Sequence, residues 1–217
     1  MEPTALTRIR EQRLVAVIRA PDADAALGAA RAVAAGGVRV IEVTFTVPGA
    51  LAVMAALRDE PGLTVGAGTV LTAAQARAAL TAGARFLIAP NLARAVAAEA
   101  LAAGVLFCPG AYTTTEILAA RDAGAHLVKV YPVGVAGGPA YIRIVRDPLP
   151  DVPMLAAGGT TLENVVPFLE AGCVGVGLGA ALADPALAAA GRFDELTARA
   201  RAFVACLVAA GHRSPQA

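Results

Sequence analysis

The chain has a single lysine. Of the 18 Lys and Arg among its 217 residues, 17 are Arg and one, Lys129, is Lys; there are two histidines and three cysteines. His126 and His212 are too few parts for a histidine-based metal site or a Ser-His-Asp triad, so no metal is expected. Cys108, Cys173 and Cys206 are odd in number and lie in apolar contexts, as buried thiols of a reducing compartment do. Charged side chains make up only 16%, with a formal charge of +1 and no basic run. That gives no electrostatic footprint for wrapping a phosphate backbone, and nucleic acid is not expected as a partner. Mean hydropathy is high at +0.64, yet Arg, Asp, Gly or Pro interrupts every apolar stretch before about 18 residues accumulate, which excludes a membrane-spanning helix. Met1 to Arg13 carries Arg8, Arg10, Glu11 and Arg13 instead of a basic end followed by an apolar run. No secretory signal is read there, and a cytoplasmic location is expected.

What is present is a repeat. Eight short apolar runs recur: 14–18, 38–44, 63–66, 85–89, 105–108, 126–130, 154–157 and 174–177. Most follow an Ala-rich stretch ending in Gly, where a helix stops in the left-handed conformation that Gly adopts without steric cost. Helical segments such as 73–82, 92–103, 115–123 and 162–171 lie between them. Continuous apolar runs, as opposed to alternating ones, mark parallel strands covered on both faces. Eight strand–helix units account for nearly the whole chain and predict an α/β fold, a (β/α)8 TIM barrel over residues 1–217 as one domain, with an N-terminal helix over 1–13 and a C-terminal helix over 192–210. An open doubly wound sheet is the competing fold. Gly66-Ala67-Gly68 lacks the third glycine of a dinucleotide fingerprint.

In such a barrel the chemistry sits at the carboxyl ends of the strands. Polar residues falling there are Arg19, Glu42, Thr44, Thr69, Asn91, Thr113 to Thr115, Lys129 and the Gly158-Gly159-Thr160-Thr161 turn. By alternation Lys129 shares the inward face with Leu127 and Tyr131, while Val128 and Val130 face the helices. A desolvated lysine loses part of its pKa and becomes a nucleophile toward a carbonyl. In an Arg-rich chain, a lysine that survives is one needed as an amine. Glu42 shares the inward face with Val40 and Thr44, and the second and sixth runs oppose each other across the lumen. It can serve as acid/base partner to the lysine, or form a structural ion pair with it. Arg19 suits capture of a substrate carboxylate. Backbone N–H groups at Gly158, Gly159 and Gly179, after the last two strands, suit a phosphate.

Taken together, residues 41–48 (IEVTFTVP), 66–70 (GAGTV), 108–110 (CPG), 127–132 (LVKVYP) and Gly158-Gly159 resemble, in order and spacing, the 2-keto-3-deoxy-6-phosphogluconate (KDPG) and 4-hydroxy-2-oxoglutarate (KHG) aldolase family. The resemblance covers essentially the whole chain. It implies a class I aldolase without cofactor, a homotrimer of (β/α)8 subunits that cleaves a 2-keto-4-hydroxy acid to pyruvate and an aldehyde. Carried over, Lys129 forms the Schiff base, Glu42 is general acid/base, Thr69 and Pro90 border the pyruvate, and Arg19 holds the carboxylate. Tyr131 stands where phenylalanine is common. Ala157 and Ala180 stand where the family commonly has threonine and serine, which leaves backbone donors at Gly158, Gly159 and Gly179 to bind phosphate. The galactonate epimer and unphosphorylated 4-hydroxy-2-oxoglutarate are alternative substrates. A phosphate-binding isomerase or epimerase, and a non-catalytic barrel scaffold, are the competing classes.

Overall fold

The computed structural model describes residues 3–214, so the outermost residues of the 1–217 domain, including 1 and 2 of the expected N-terminal helix, lie outside them. The strands are β1 (Leu14–Ile18), β2 (Val40–Thr44), β3 (Thr64–Gly68), β4 (Phe86–Ile88), β5 (Leu106–Cys108), β6 (Gly110–Ala111), β7 (Val128–Val130), β8 (Met154–Ala157) and β9 (Gly175–Leu178). All pair in parallel, in the order β5-β4-β3-β2-β1-β9-β8-β7-β6. The ten helices of the described residues alternate with them: α1 (Thr4–Gln12), α2 (Ala23–Ala35), α3 (Ala50–Leu57), α4 (Ala73–Thr81), α5 (Arg94–Ala102), α6 (Thr114–Asp122), α7 (Pro139–Arg146), α8 (Val165–Glu170), α9 (Pro185–Ala189) and α10 (Phe193–Ala209).

Nine strands make eight staves. Pro109, which has no N–H, separates β5 from β6 and interrupts the regular pairing. The carbonyl of Cys108 accepts from the Ala89 N–H at 3.2 Å, on the β4 side, and that of Pro109 accepts from the Lys129 N–H at 2.9 Å, on the β7 side. One continuous segment therefore bonds β4 with its first half and β7 with its second, and the two ends of the sheet are joined through it. The structure is a barrel, and the open sheet is excluded.

Alternation along the strands sorts the core into two layers. Val15, Val40, Phe86, Ile88, Leu106, Cys108, Leu127 and Leu155 fill the lumen together with Ala5, Leu6 and Ile9 of α1, which plugs the amino-terminal end of the barrel. Their neighbours in sequence, such as Ile41, Val43, Val128 and Val130, pack under the outer helices instead. Burying each of Leu6 and Ile9 contributes roughly 1.5–3 kcal/mol. The lumen is thus solid below, and it is from the other mouth that a cleft reaches Lys129 on the inward face.

Several edges differ from the sequence reading. The Val38 N–H bonds back to the Val33 carbonyl at 3.1 Å, so Val38 belongs to the exit of α2 and β2 begins at Val40. Thr113 lies in the loop between β6 and α6, at the carboxyl ends of the strands, and there it is a helix cap: its hydroxyl accepts from the Glu116 N–H and the Glu116 carboxylate accepts from the Thr113 N–H, a capping box that starts α6.

Candidate active site

Four consecutive staves, β7, β8, β9 and β1, carry a cleft of about 470 Å³ at their carboxyl ends. It is lined by Val17 and Arg19, Lys129 and Tyr131, Ala157 to Thr160, and Gly177 and Gly179 to Ala181. Lys129 reaches it from the lumen. The side chain is buried, 6% exposed, because its strand neighbour Leu127 packs into the lumen core and fixes the same face inward. Among the described residues no carboxylate lies within ion-pairing distance of Nζ. The structural ion pair with Glu42 is therefore absent; the charged contact of Lys129 is the Tyr131 ring, whose centroid lies 4.9 Å from Nζ.

The roof of the cleft is backbone. Gly158 and Gly159 take φ of +79° and +88°, and a β-carbon on Gly158 would stand 2.9 Å from the Tyr131 ring. Thr160, buried, donates its hydroxyl hydrogen bond to the Gly177 carbonyl at 2.7 Å and so ties the β8 loop to β9. Asn164 braces the same loop, accepting from the Thr161 N–H and donating to the Gly159 carbonyl. The N–H groups of Gly159, Thr160, Ala180 and Ala181, all of them cleft residues, donate to no acceptor among the described residues. Such free donors suit an anion. The exposed guanidinium of Arg19 lies over this loop: its Nη1 is 3.5 Å from the position of a β-carbon on Gly179.

Glu42 lies in the middle of the adjoining strand β2 and is not among the residues that line the cleft. It is 1% exposed, and its Oε1 is buried without a hydrogen-bond partner. A buried carboxylate oxygen left in this way is costly and marks a group held for chemistry or for a polar guest. Glu42 pairs in register with Val17 on β1 and with Gly66 on β3. Cys108 lies near both charged groups: burial pushes its thiol up, with the Lys129 charge opposing and the Glu42 charge adding to the shift. Thr44 donates to the Ile18 carbonyl at 3.0 Å and shares a 2.7 Å hydroxyl contact with Thr46, which fixes the end of β2 against β1.

The sequence-derived residues thus fall into three groups: those of the cleft, Pro90 in a second hollow, and Glu42 and Thr69, which line neither. Lys129, Arg19, Tyr131, Gly158, Gly159, Gly179 and Ala180 share the cleft. Pro90 lines a second hollow of about 310 Å³ with Asn91, Gly110, Tyr112 and Glu116, and the Tyr131 ring is the wall common to both. Thr69 follows β3 with φ of +56°, a strained conformation for a β-branched residue, and lines neither. Sequence reading missed the tie of Thr160 to Gly177 and the ring contact on Lys129. The first had a signal in the hydroxyl after the glycine pair; the second depends on χ angles that no spacing reveals. A further cleft at the opposite mouth, near Arg8 and Arg85, is remote from all of these. Among the described residues no cluster of three or more metal-binding side chains occurs.

The chain is similar to known aldolases in sequence and in fold. The profile of the aldolase family described as "KDPG and KHG aldolase" matches residues 6–199. The chain is 36% identical over 195 residues to the 2-dehydro-3-deoxy-6-phosphogalactonate aldolase of Escherichia coli K12, covering 88% of this chain and 92% of that one. It is also 36% identical over 195 residues to the 2-dehydro-3-deoxy-phosphogluconate aldolase of Treponema pallidum, covering 89% and 91%. Among solved structures, KDPG aldolase from Legionella pneumophila, described with pyruvate captured as a covalent carbinolamine intermediate, superposes with a TM-score of 0.84 at 26% identity, over 92% of this chain and 97% of that one.

Proposed function

The chain belongs to the KDPG and KHG aldolase family, and on that premise we propose how this carbon–carbon lyase works, with Lys129 as its Schiff-base nucleophile and Glu42 as its general acid/base. The Lys129 amine adds to the C2 ketone of a 2-keto-4-hydroxy acid to give a carbinolamine, which loses water to an iminium. Glu42 accepts the C4 hydroxyl proton as the C3–C4 bond breaks. The electron pair of that bond moves into an enamine, and the aldehyde leaves. Protonation at C3 and hydrolysis of the regenerated iminium release pyruvate and the free amine. The protonated imine supplies the polarisation, so the steps call on no further cofactor.

Arg19 holds the substrate carboxylate, and the backbone donors of the Gly158-Gly159 and Gly179-Ala180 turns hold a phosphate on the aldehyde half. Thr69 and Pro90 border the pyruvate half, with Tyr131 beside the nitrogen. The substrate proposed is 2-keto-3-deoxy-6-phosphogluconate, giving glyceraldehyde 3-phosphate; comparing cleavage rates on this acid, its galactonate epimer and 4-hydroxy-2-oxoglutarate separates the three. We also propose a homotrimer working in the cytoplasm. Exposed Val135 and Ile144, 80% and 69% accessible, offer apolar surface for subunit contact, and no helix among the described residues is long and apolar enough to cross a membrane. Sedimentation and cell fractionation test these two points.

The observation that carries the proposal is the burial of the chain's one lysine at the cleft, with no carboxylate among the described residues within ion-pairing distance. Incubation with pyruvate and borohydride tests it. A stable adduct on the peptide containing Lys129 is the expected result, and an unmodified Lys129 overturns it. Lys129→Arg keeps the charge and should lose turnover by at least about a thousandfold, since a guanidinium forms no imine.

A further inference from the structure

We infer that Tyr131 is a positioning residue whose ring face favours the cationic iminium on Lys129 over the neutral carbinolamine that precedes it. The inference rests on the aldolase reading above. Three observations carry it. Nζ lies 4.9 Å from the ring centroid, inside the range of about 6 Å in which an aromatic quadrupole attracts a cation. That nitrogen is buried and has no carboxylate within ion-pairing distance among the described residues, so on the protein side the ring faces the charge without a counter-ion. The ring, 37% exposed, is bounded on one side by bare backbone: a β-carbon on Gly158 would stand 2.9 and 3.0 Å from two adjacent ring atoms, so its approach depends on a glycine at φ of +79°.

The chemical consequence follows from where charge appears. In the carbinolamine the nitrogen is neutral. On dehydration the C2 hydroxyl takes a proton and leaves as water, the nitrogen lone pair forms the second bond to C2, and the positive charge settles on the iminium. A ring facing Nζ stabilises the product of that step and not its precursor. With pyruvate saturating, the balance between the two bound species is read directly, because borohydride delivers hydride to the iminium carbon and leaves the carbinolamine untouched.

The test measures the rate of borohydride trapping on Lys129 at saturating pyruvate while the ring quadrupole is changed without changing its shape. Position 131 is filled with tyrosine, phenylalanine, and phenylalanines bearing one, two and three fluorines. A graded fall is expected across the fluorinated series, about 2- to 30-fold in total, with Tyr131→Phe trapping several-fold faster than Tyr131→Leu. A flat series with unchanged melting temperature overturns the role of Tyr131 alone. Absence of any adduct in the native protein overturns the aldolase reading and this inference with it. If Tyr131→Leu fails to fold, the fluorinated series, in which packing is conserved, still decides.

Discussion

A β-carbon placed on Gly68 would stand 2.0 Å from Oε1 of Glu42. The carboxyl group of β2 is therefore seated in space that only a glycine on β3 leaves open, and the family motif residues Glu42 and Gly68 are two halves of one steric arrangement. Gly68→Ala should displace the carboxyl group, lowering kcat and costing about 1–3 kcal/mol of stability through overpacking. Urea unfolding and initial-rate kinetics check both. An alanine variant with native turnover would show that the position of Glu42 is not critical.

Glu42 itself carries the opposite expectation for stability. Its Oε1 is buried and unpartnered, so replacing the carboxylate by a neutral amide removes a desolvated charge. Glu42→Gln should lower kcat by about 10²- to 10⁴-fold, the usual worth of a general acid/base, while the melting temperature stays level or rises. A drop in both would mean that Glu42 acts mainly as scaffold.

Arg19 is exposed at the mouth and makes no ion pair within the described residues. Arg19→Ala should leave stability within about 0.5 kcal/mol and raise KM about 10- to 150-fold, the loss expected for hydrogen bonds to a charged group. Comparing saturation of the trapping reaction by pyruvate with saturation of cleavage by the whole substrate shows which anion Arg19 grips. A defect in both points to the carboxylate proposed above, and a defect only in cleavage points to the aldehyde half.

Ala180 lies in the β9 loop among free backbone donors. Ala180→Ser adds one hydroxyl there and should lower KM for a phosphorylated substrate about fivefold, equivalent to roughly 1 kcal/mol. The KM for unphosphorylated 4-hydroxy-2-oxoglutarate should not change. Equal effects on both substrates would separate this loop from phosphate binding.

The buried thiols give the protein an alkaline limit. Burial pushes the Cys173 thiol up to about 12, with the Arg146 charge partly opposing, and pushes Cys108 up as well. The folded chain keeps thiol protons that the unfolded chain releases above about pH 8.5. This contribution to stability is complete below that pH and is lost as pH rises toward 12. Unfolding midpoints measured under reducing conditions between pH 7.5 and 10.5 should fall, and Cys173→Ala should flatten the slope. Half-buried Cys206 should react with a thiol reagent before the two buried cysteines.

Alternation along a strand is a local property, and it is why the inward orientation of Lys129, Glu42 and Val40 could be read from three or four residues each. The same holds for the strand–helix repeat, whose apolar runs coincide with the staves. Edges were less legible. Val38 looks like a strand residue by side chain but is claimed by the backbone of α2, and Thr113, which does follow a strand end, has its hydroxyl engaged in capping α6. At Val38 a hydrogen bond competed with the apolar pattern and prevailed.

The chain order of residues thus settled which side chains face the lumen and which amine is singular, because both depend on period and identity alone. Only the folded barrel decided that Arg19, Lys129, Tyr131 and the two glycine turns share one cleft while Pro90 lines the hollow across the Tyr131 ring and Thr69 lines neither. That partition depends on β1 lying beside β9 and on an aromatic ring held against Gly158, contacts between segments far apart in the chain that no local spacing encodes.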